Sequence, residues 1–95
     1  MLFRSAFVAA FADAMIRDAI ANGIEPGVAD AAVRQLFLGG STLMAQSAET
    51  PAQIVGHFLD FAGTTAAGLT AMQIAGIAST ISKGLAAARD KAATG

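Results

Sequence analysis

The chain has 95 residues, enough for one small domain with a modest core. Hydrophobic residues make up 55% of it and charged residues only 14%, against roughly 25% in typical soluble domains, so we expect apolar surface to be covered by a second copy of the chain. The net charge is −1 and the six basic residues are scattered, which excludes a nucleic-acid-binding surface. The absence of cysteine excludes disulfides and thiolate metal sites and fits a cytoplasmic protein.

Two helices are predicted in the first half of the chain. Residues 6–21 are apolar around most of the helix circumference, so we expect this helix to be buried on more than one side, and Asn22-Gly23 supplies a left-handed stop. Glu25-Pro26 opens the second helix. Its apolar stripe has helical spacing and consists of Val33, Leu36, Phe37, Gly40, Leu43 and Met44.

Two glycines interrupt this second helix. Gly39 and Gly40 each cost about 1 kcal/mol relative to alanine in a helix interior. A cost of this kind suggests that another backbone passes close to the helix at that point.

The second half predicts three further helices. Thr50-Pro51 is a cap followed by proline at the first helical position, and it starts a helix that ends near residue 59. A short helix near residues 65–73 and a final helix over residues 76–93 follow, the last with Ile77, Ile81 and Leu85 facing inward. No segment alternates with the period of a strand, so the fold is predicted to be all-α, a bundle of about five helices.

The domain organisation follows from the same pattern. Residues 6–95 are expected to form the helical domain, because no repeat, linker or low-complexity tract divides them. Residues 1–5 have no helix cap and are expected to be non-native or disordered.

A membrane helix is the weaker alternative. Residues 61–82 carry no formal charge and are long enough to span a bilayer. Nearly half of them are glycine or polar, and the ends lack the tryptophan or tyrosine of an aromatic belt, so we expect no membrane association.

Side chains suited to catalysis are scarce. His57 is the only histidine, and no second ligand or nucleophile lies at a useful spacing, so we interpret it as a packing or surface residue and expect no metal site. The seven carboxylates are dispersed singly; Asp60 is the one nearest the loop described next, where its simplest interpretation is a turn carboxylate. No phosphate-binding glycine motif occurs, so no residue here is assigned to cofactor binding.

The loop Gly63-Thr64-Thr65 has two interpretations. In the first, Gly63 supplies a turn and one threonine hydroxyl caps the next helix. In the second, the exposed amides and hydroxyls bind an anion. A helix cap is the commoner role of such a stretch. The spacing of the residues alone does not distinguish the cap from the anion-binding site.

The loop and the order of the predicted helices resemble the C-terminal domain of the pyrroline-5-carboxylate reductase family. The resemblance extends over residues 6–90. The family's Ser-Pro-Gly-Gly-Thr-Thr loop, followed by Gly and Leu, is matched by Gly63, Thr64, Thr65, Gly68 and Leu69. The other matching stretches are Ala6-Phe7-Val8, Phe11-Ala12-Asp13-Ala14, Asn22-Gly23-Ile24, the small residues of the second helix, and Pro51-Ala52.

The resemblance implies a function for the domain. It implies an interlocked homodimer, or a higher oligomer, of the 6-phosphogluconate dehydrogenase C-terminal-like type, and NADPH or NADH bound mainly by a separate Rossmann domain that this chain lacks. Amides at Gly63, Thr64 and Thr65 would bind the carboxylate of a small cyclic imino acid, and the Thr65 hydroxyl, the catalytic group, would hydrogen-bond the imine nitrogen. The chain is then expected to be inactive alone and to contribute to proline biosynthesis.

The chain departs from the family pattern just before the loop. Asp60, Phe61 and Ala62 replace the family's Ser-Pro-Gly, and Asp60 brings a negative charge toward the expected carboxylate site. A paralogue that reduces another cyclic imine or a keto acid fits this change. The alternative from a different functional class is a purely structural dimerisation module with no active site.

Overall fold

The computed structural model describes the backbone of residues 2–61 and 63–94, and the side chains of residues 5–61 and 63–94. Within these ranges there are five helices and no strand: α1 (Leu2–Ala21), α2 (Pro26–Gln46), α3 (Pro51–Phe61), α4 (Gly63–Ala75) and α5 (Ile77–Thr94). The all-α prediction is therefore confirmed. Helix α1 begins ahead of its predicted start at residue 6, and α4 is longer at both ends than predicted.

The α1–α2 turn is fixed by local hydrogen bonds. Gly23 has φ +97°, and its N–H donates to the Ile20 carbonyl at 3.0 Å, while the Ile24 N–H donates to the Ala19 carbonyl at 3.0 Å. This pair of bonds is the Schellman arrangement that satisfies the last carbonyls of a helix. The predicted left-handed stop is confirmed.

The start of α2 is capped by a carboxylate. The two Glu25 carboxylate oxygens accept from the amides of Gly27 at 2.9 Å and Val28 at 3.1 Å, with Pro26 in the first helical turn. A carboxylate at this position satisfies free amides and also opposes the positive end of the helix dipole.

The start of α3 is a reciprocal capping box. The Gln53 N–H donates to the Thr50 hydroxyl at 3.2 Å, and the Thr50 N–H donates to the Gln53 side-chain oxygen at 2.8 Å. The predicted cap at Thr50 is confirmed, and Gln53 completes it.

The contacts divide the chain into two compact units, Met1–Ala48 with α1 and α2, and Glu49–Gly95 with α3, α4 and α5. In the first unit α1 packs on α2, and in the second α4 packs on both α3 and α5. The left-handed Gly76, φ +92°, separates α4 from α5. We predicted that the final helix begins at this residue, and it begins one residue later.

The single chain buries very little. Among the described side chains only Ala29, Val33 and Ala66 are buried, and sixteen large apolar residues are exposed. No described residue of α1 is buried, so the expectation that this helix is covered on several sides is wrong for the chain by itself. Ile77 and Leu85, predicted to face inward, are exposed as well, and Ile81 is half-buried. The physical reason is that a five-helix chain this short has too few layers to cover all its apolar faces.

The paired glycines of α2 have no close neighbour within the chain. A Cβ added to Gly39 or Gly40 would meet no atom within 4 Å, so the predicted close approach of another backbone does not occur inside the described chain. Neither residue has a positive φ, so backbone conformation does not require glycine here.

No helix among the described residues is long and apolar enough to cross a membrane. The charge-free run of residues 61–82 is divided by the breaks before α4 and at Gly76. The assignment of residues 1–5 as a non-native or disordered segment stays a prediction; the helix α1 includes Leu2–Ser5 in its bounds, and Met1 lies outside the described residues.

Candidate functional site

The Gly63-Thr64-Thr65 segment forms the first turn of α4. Gly63 has φ +86°, a left-handed conformation that favours glycine, so the prediction that it supplies the turn is confirmed. Thr64 and Thr65 are exposed, and the next residue, Ala66, is buried. The two threonines therefore lie on the surface at the start of α4.

Neither threonine hydroxyl makes a hydrogen bond within the described part of the chain, so neither acts there as the predicted cap. The first amides of an α-helix have no partner inside the helix, and here they lie beside two available hydroxyls. This arrangement can accept an anionic or polar ligand. The assignment of Gly63, Thr64 and Thr65 to substrate binding, and of Thr65 to catalysis, stays a prediction.

The end of α3 precedes this turn. Asp60 and Phe61 are its last two residues; both are exposed, and Phe61 is 84% exposed. The Asp60 carboxylate has no hydrogen bond or ion pair among the described residues. Ala62, the third departure from the family pattern, lies outside the described residues.

His57 is paired on the surface of α3. Its Nε2 contacts the Glu49 carboxylate, and both side chains are exposed. No group of three or more potential metal ligands occurs among the described residues. The pairing agrees with the interpretation of His57 as a surface residue.

Most other carboxylates also have partners close by in sequence. The Arg17 Nε lies 2.7 Å from Asp13, and the Arg34 Nε lies 2.8 Å from Asp30. The hydrogen bond that the Arg17 guanidinium donates to Asp13, together with the negative charge of Asp13, raises the pKa of this guanidinium above its ordinary value.

Two grooves line the α1–α2 unit, and neither was predicted. One, of about 280 Å³, is lined mainly by apolar side chains: Met15, Leu36, Phe37, Gly40, Ser41 and Met44. The other, of about 330 Å³, also carries charge and is lined by Ala9, Ala12, Asp13, Ile16, Asp30 and Arg34. The apolar stripe of α2 indicated the α2 side of the first groove. The residue that α1 contributes could not be predicted, because it depends on how the two helices cross.

The described residues do not form the usual binding motif of a nicotinamide dinucleotide. Such a cofactor is held by a glycine-rich turn between a strand and a helix. The described ranges contain no strand, and the sequence contains no such glycine motif. Residues of this chain are therefore not assigned to cofactor binding.

The helical fold, the small core and the open apolar faces define the chain as a helical association domain, since contiguous exposed apolar surface marks protein interfaces. A family model described as pyrroline-5-carboxylate reductase dimerisation matches residues 4–94, and the chain belongs to this family. The resemblance seen in the sequence is thereby confirmed, and with it the role in homo-oligomerisation.

A curated relative agrees with the family. The chain is 37% identical over 71 residues to pyrroline-5-carboxylate reductase 3 of Mus musculus, an alignment that covers 75% of this chain and 26% of the mouse protein. The chain thus spans about a quarter of the relative that it matches. No solved structure matches significantly.

Proposed function

We propose that this chain is the dimerisation and substrate-loop domain of an NAD(P)H-dependent reductase that acts on the C=N bond of a cyclic imine. Membership of the family supports the dimerisation role, and similarity to the mouse pyrroline-5-carboxylate reductase supports the reaction class. Because the chain matches only 26% of that relative, the activity belongs to the longer protein, and the chain alone is expected to be inactive.

The single observation that carries the site is the exposed first turn of α4. The free amides at a helix start favour a negative or polar group, and we assign this role to the amides of Gly63, Thr64 and Thr65 at the start of α4. The Thr65 hydroxyl, exposed and without a partner among the described residues, is available to hydrogen-bond the imine nitrogen. A positioned hydroxyl can stabilise the change of charge at nitrogen during reduction.

The cofactor, NADPH or NADH, is proposed to bind mainly to a Rossmann domain outside this chain. The nicotinamide supplies the hydride, and the protein positions and polarises the substrate. This division of labour explains why the described chain has so few groups suited to acid–base chemistry.

The partner is proposed to be a second copy, in an interlocked dimer or a higher oligomer. Leu38, Leu43 and Ile74 are 64%, 73% and 83% exposed in the single chain. Burying apolar area gains roughly 25 cal/mol per Å², so covering such side chains with a copy would supply the stability that the small core lacks.

The experiment replaces Thr65 in the intact protein. Thr65→Val keeps the side-chain shape and removes the hydroxyl. We expect kcat to fall because the activation free energy should rise by roughly 2–4 kcal/mol, as it does when other hydrogen-bond donors to a transition state are removed. Thr70→Val is the matched control, because Thr70 is also an exposed threonine of α4 but lies farther along the helix. Steady-state rates and gel filtration are measured for both variants.

The dimer should survive in both variants. An unchanged rate for Thr65→Val would remove this residue from the active site. The proposal also requires a GxGxxG strand–turn–helix segment encoded ahead of residue 6 in the intact reading frame. A dimer that neither binds nor reduces an imine and does not bind the cofactor would instead favour the alternative, a purely structural dimerisation module with no active site.

A further inference from the structure

We draw no further inference here: the strongest candidate, the apolar groove of the α1–α2 unit between Met15 on α1 and Phe37, Gly40 and Met44 on α2, carries nothing new, because nothing in the structure shows what covers it and covering it with a second copy only restates the dimerisation of the family.

Discussion

The two helical units of the chain differ in how many side chains they bury and in which surface ion pairs they carry. Among the described residues, the α1–α2 unit contains two of the three buried side chains, Ala29 and Val33, and carries both exposed Asp–Arg pairs. The α3–α5 unit has three shorter helices and one buried side chain, Ala66, among those residues, while glycines with positive φ lie at the helix junctions of both units. Neither unit has a core of ordinary size.

The difference shows where the stability of each unit must originate. In the first unit, side chains that pack between two long helices contribute part of the free energy. In the second, fewer buried side chains contribute, and the apolar side chains Phe61 and Ile74, 84% and 83% exposed, remain uncovered in the single chain. Domains of this size are marginal even with a full core, so association is expected to stabilise both.

The largest effect is expected in the core of the first unit. Val33 is 7% exposed, so Val33→Ala should lower the free energy of unfolding by about 2 kcal/mol through lost burial and a residual cavity. Chemical denaturation of the dimer measures this. The matched control is Val28→Ala on the same helix, where the side chain is 58% exposed and the loss should stay within about 0.5 kcal/mol. Equal losses would show that a partner copy covers Val28 and would break the distinction between core and surface.

The next effect tests the glycines of α2. Because a Cβ at Gly39 would have no neighbour within 4 Å beyond the adjacent backbone of its own helix, Gly39→Ala should stabilise the helix of the monomer by about 1 kcal/mol. If a partner backbone packs there, the same variant should weaken the dimer. Urea unfolding across a concentration series, with dissociation followed by gel filtration, separates these two effects. A dimer that is stabilised as much as the monomer would exclude a close approach at Gly39.

The smallest effect is expected at the surface. The Arg17–Asp13 pair lies four residues apart on α1, with the two side chains 79% and 59% exposed. Exposed pairs of this kind contribute little to stability, and that contribution is screened by salt. Arg17→Gln should thus lower stability only slightly, and thermal unfolding in 1 M salt should remove the difference from the wild type. A loss that persists in salt would place Arg17 in an interface.

Local signals in the sequence identified most of the helix boundaries. Asn22-Gly23, Glu25-Pro26 and Thr50-Pro51 each act through groups within a few residues, so the caps could be assigned without knowledge of packing. The helix start at residue 2 could not, because those residues carry no cap and only the continuation of the backbone reveals it.

The candidate site was only partly predictable. The turn at Gly63 and its two threonines were identified from the sequence because glycine followed by hydroxyl residues is a local pattern. The exposure of Thr64 and Thr65 depends on which neighbours pack around them, as does the lack of a partner for Asp60 among the residues that the structure describes. The two grooves of the α1–α2 unit could not be fully predicted from the sequence for the same reason.

Composition and local chemistry by themselves determined that this protein is all-helical, where most of its helices begin and end, and that it has more apolar surface than one chain can hide. Those properties depend on hydrogen bonds within a few residues and on the ratio of apolar to charged side chains. Only the tertiary structure decided that Ile77 and Leu85 are exposed while Ala29, Val33 and Ala66 are buried. Burial is set by contacts between helices distant in sequence, and helical periodicity assigns a side chain to a face without stating whether another helix covers it.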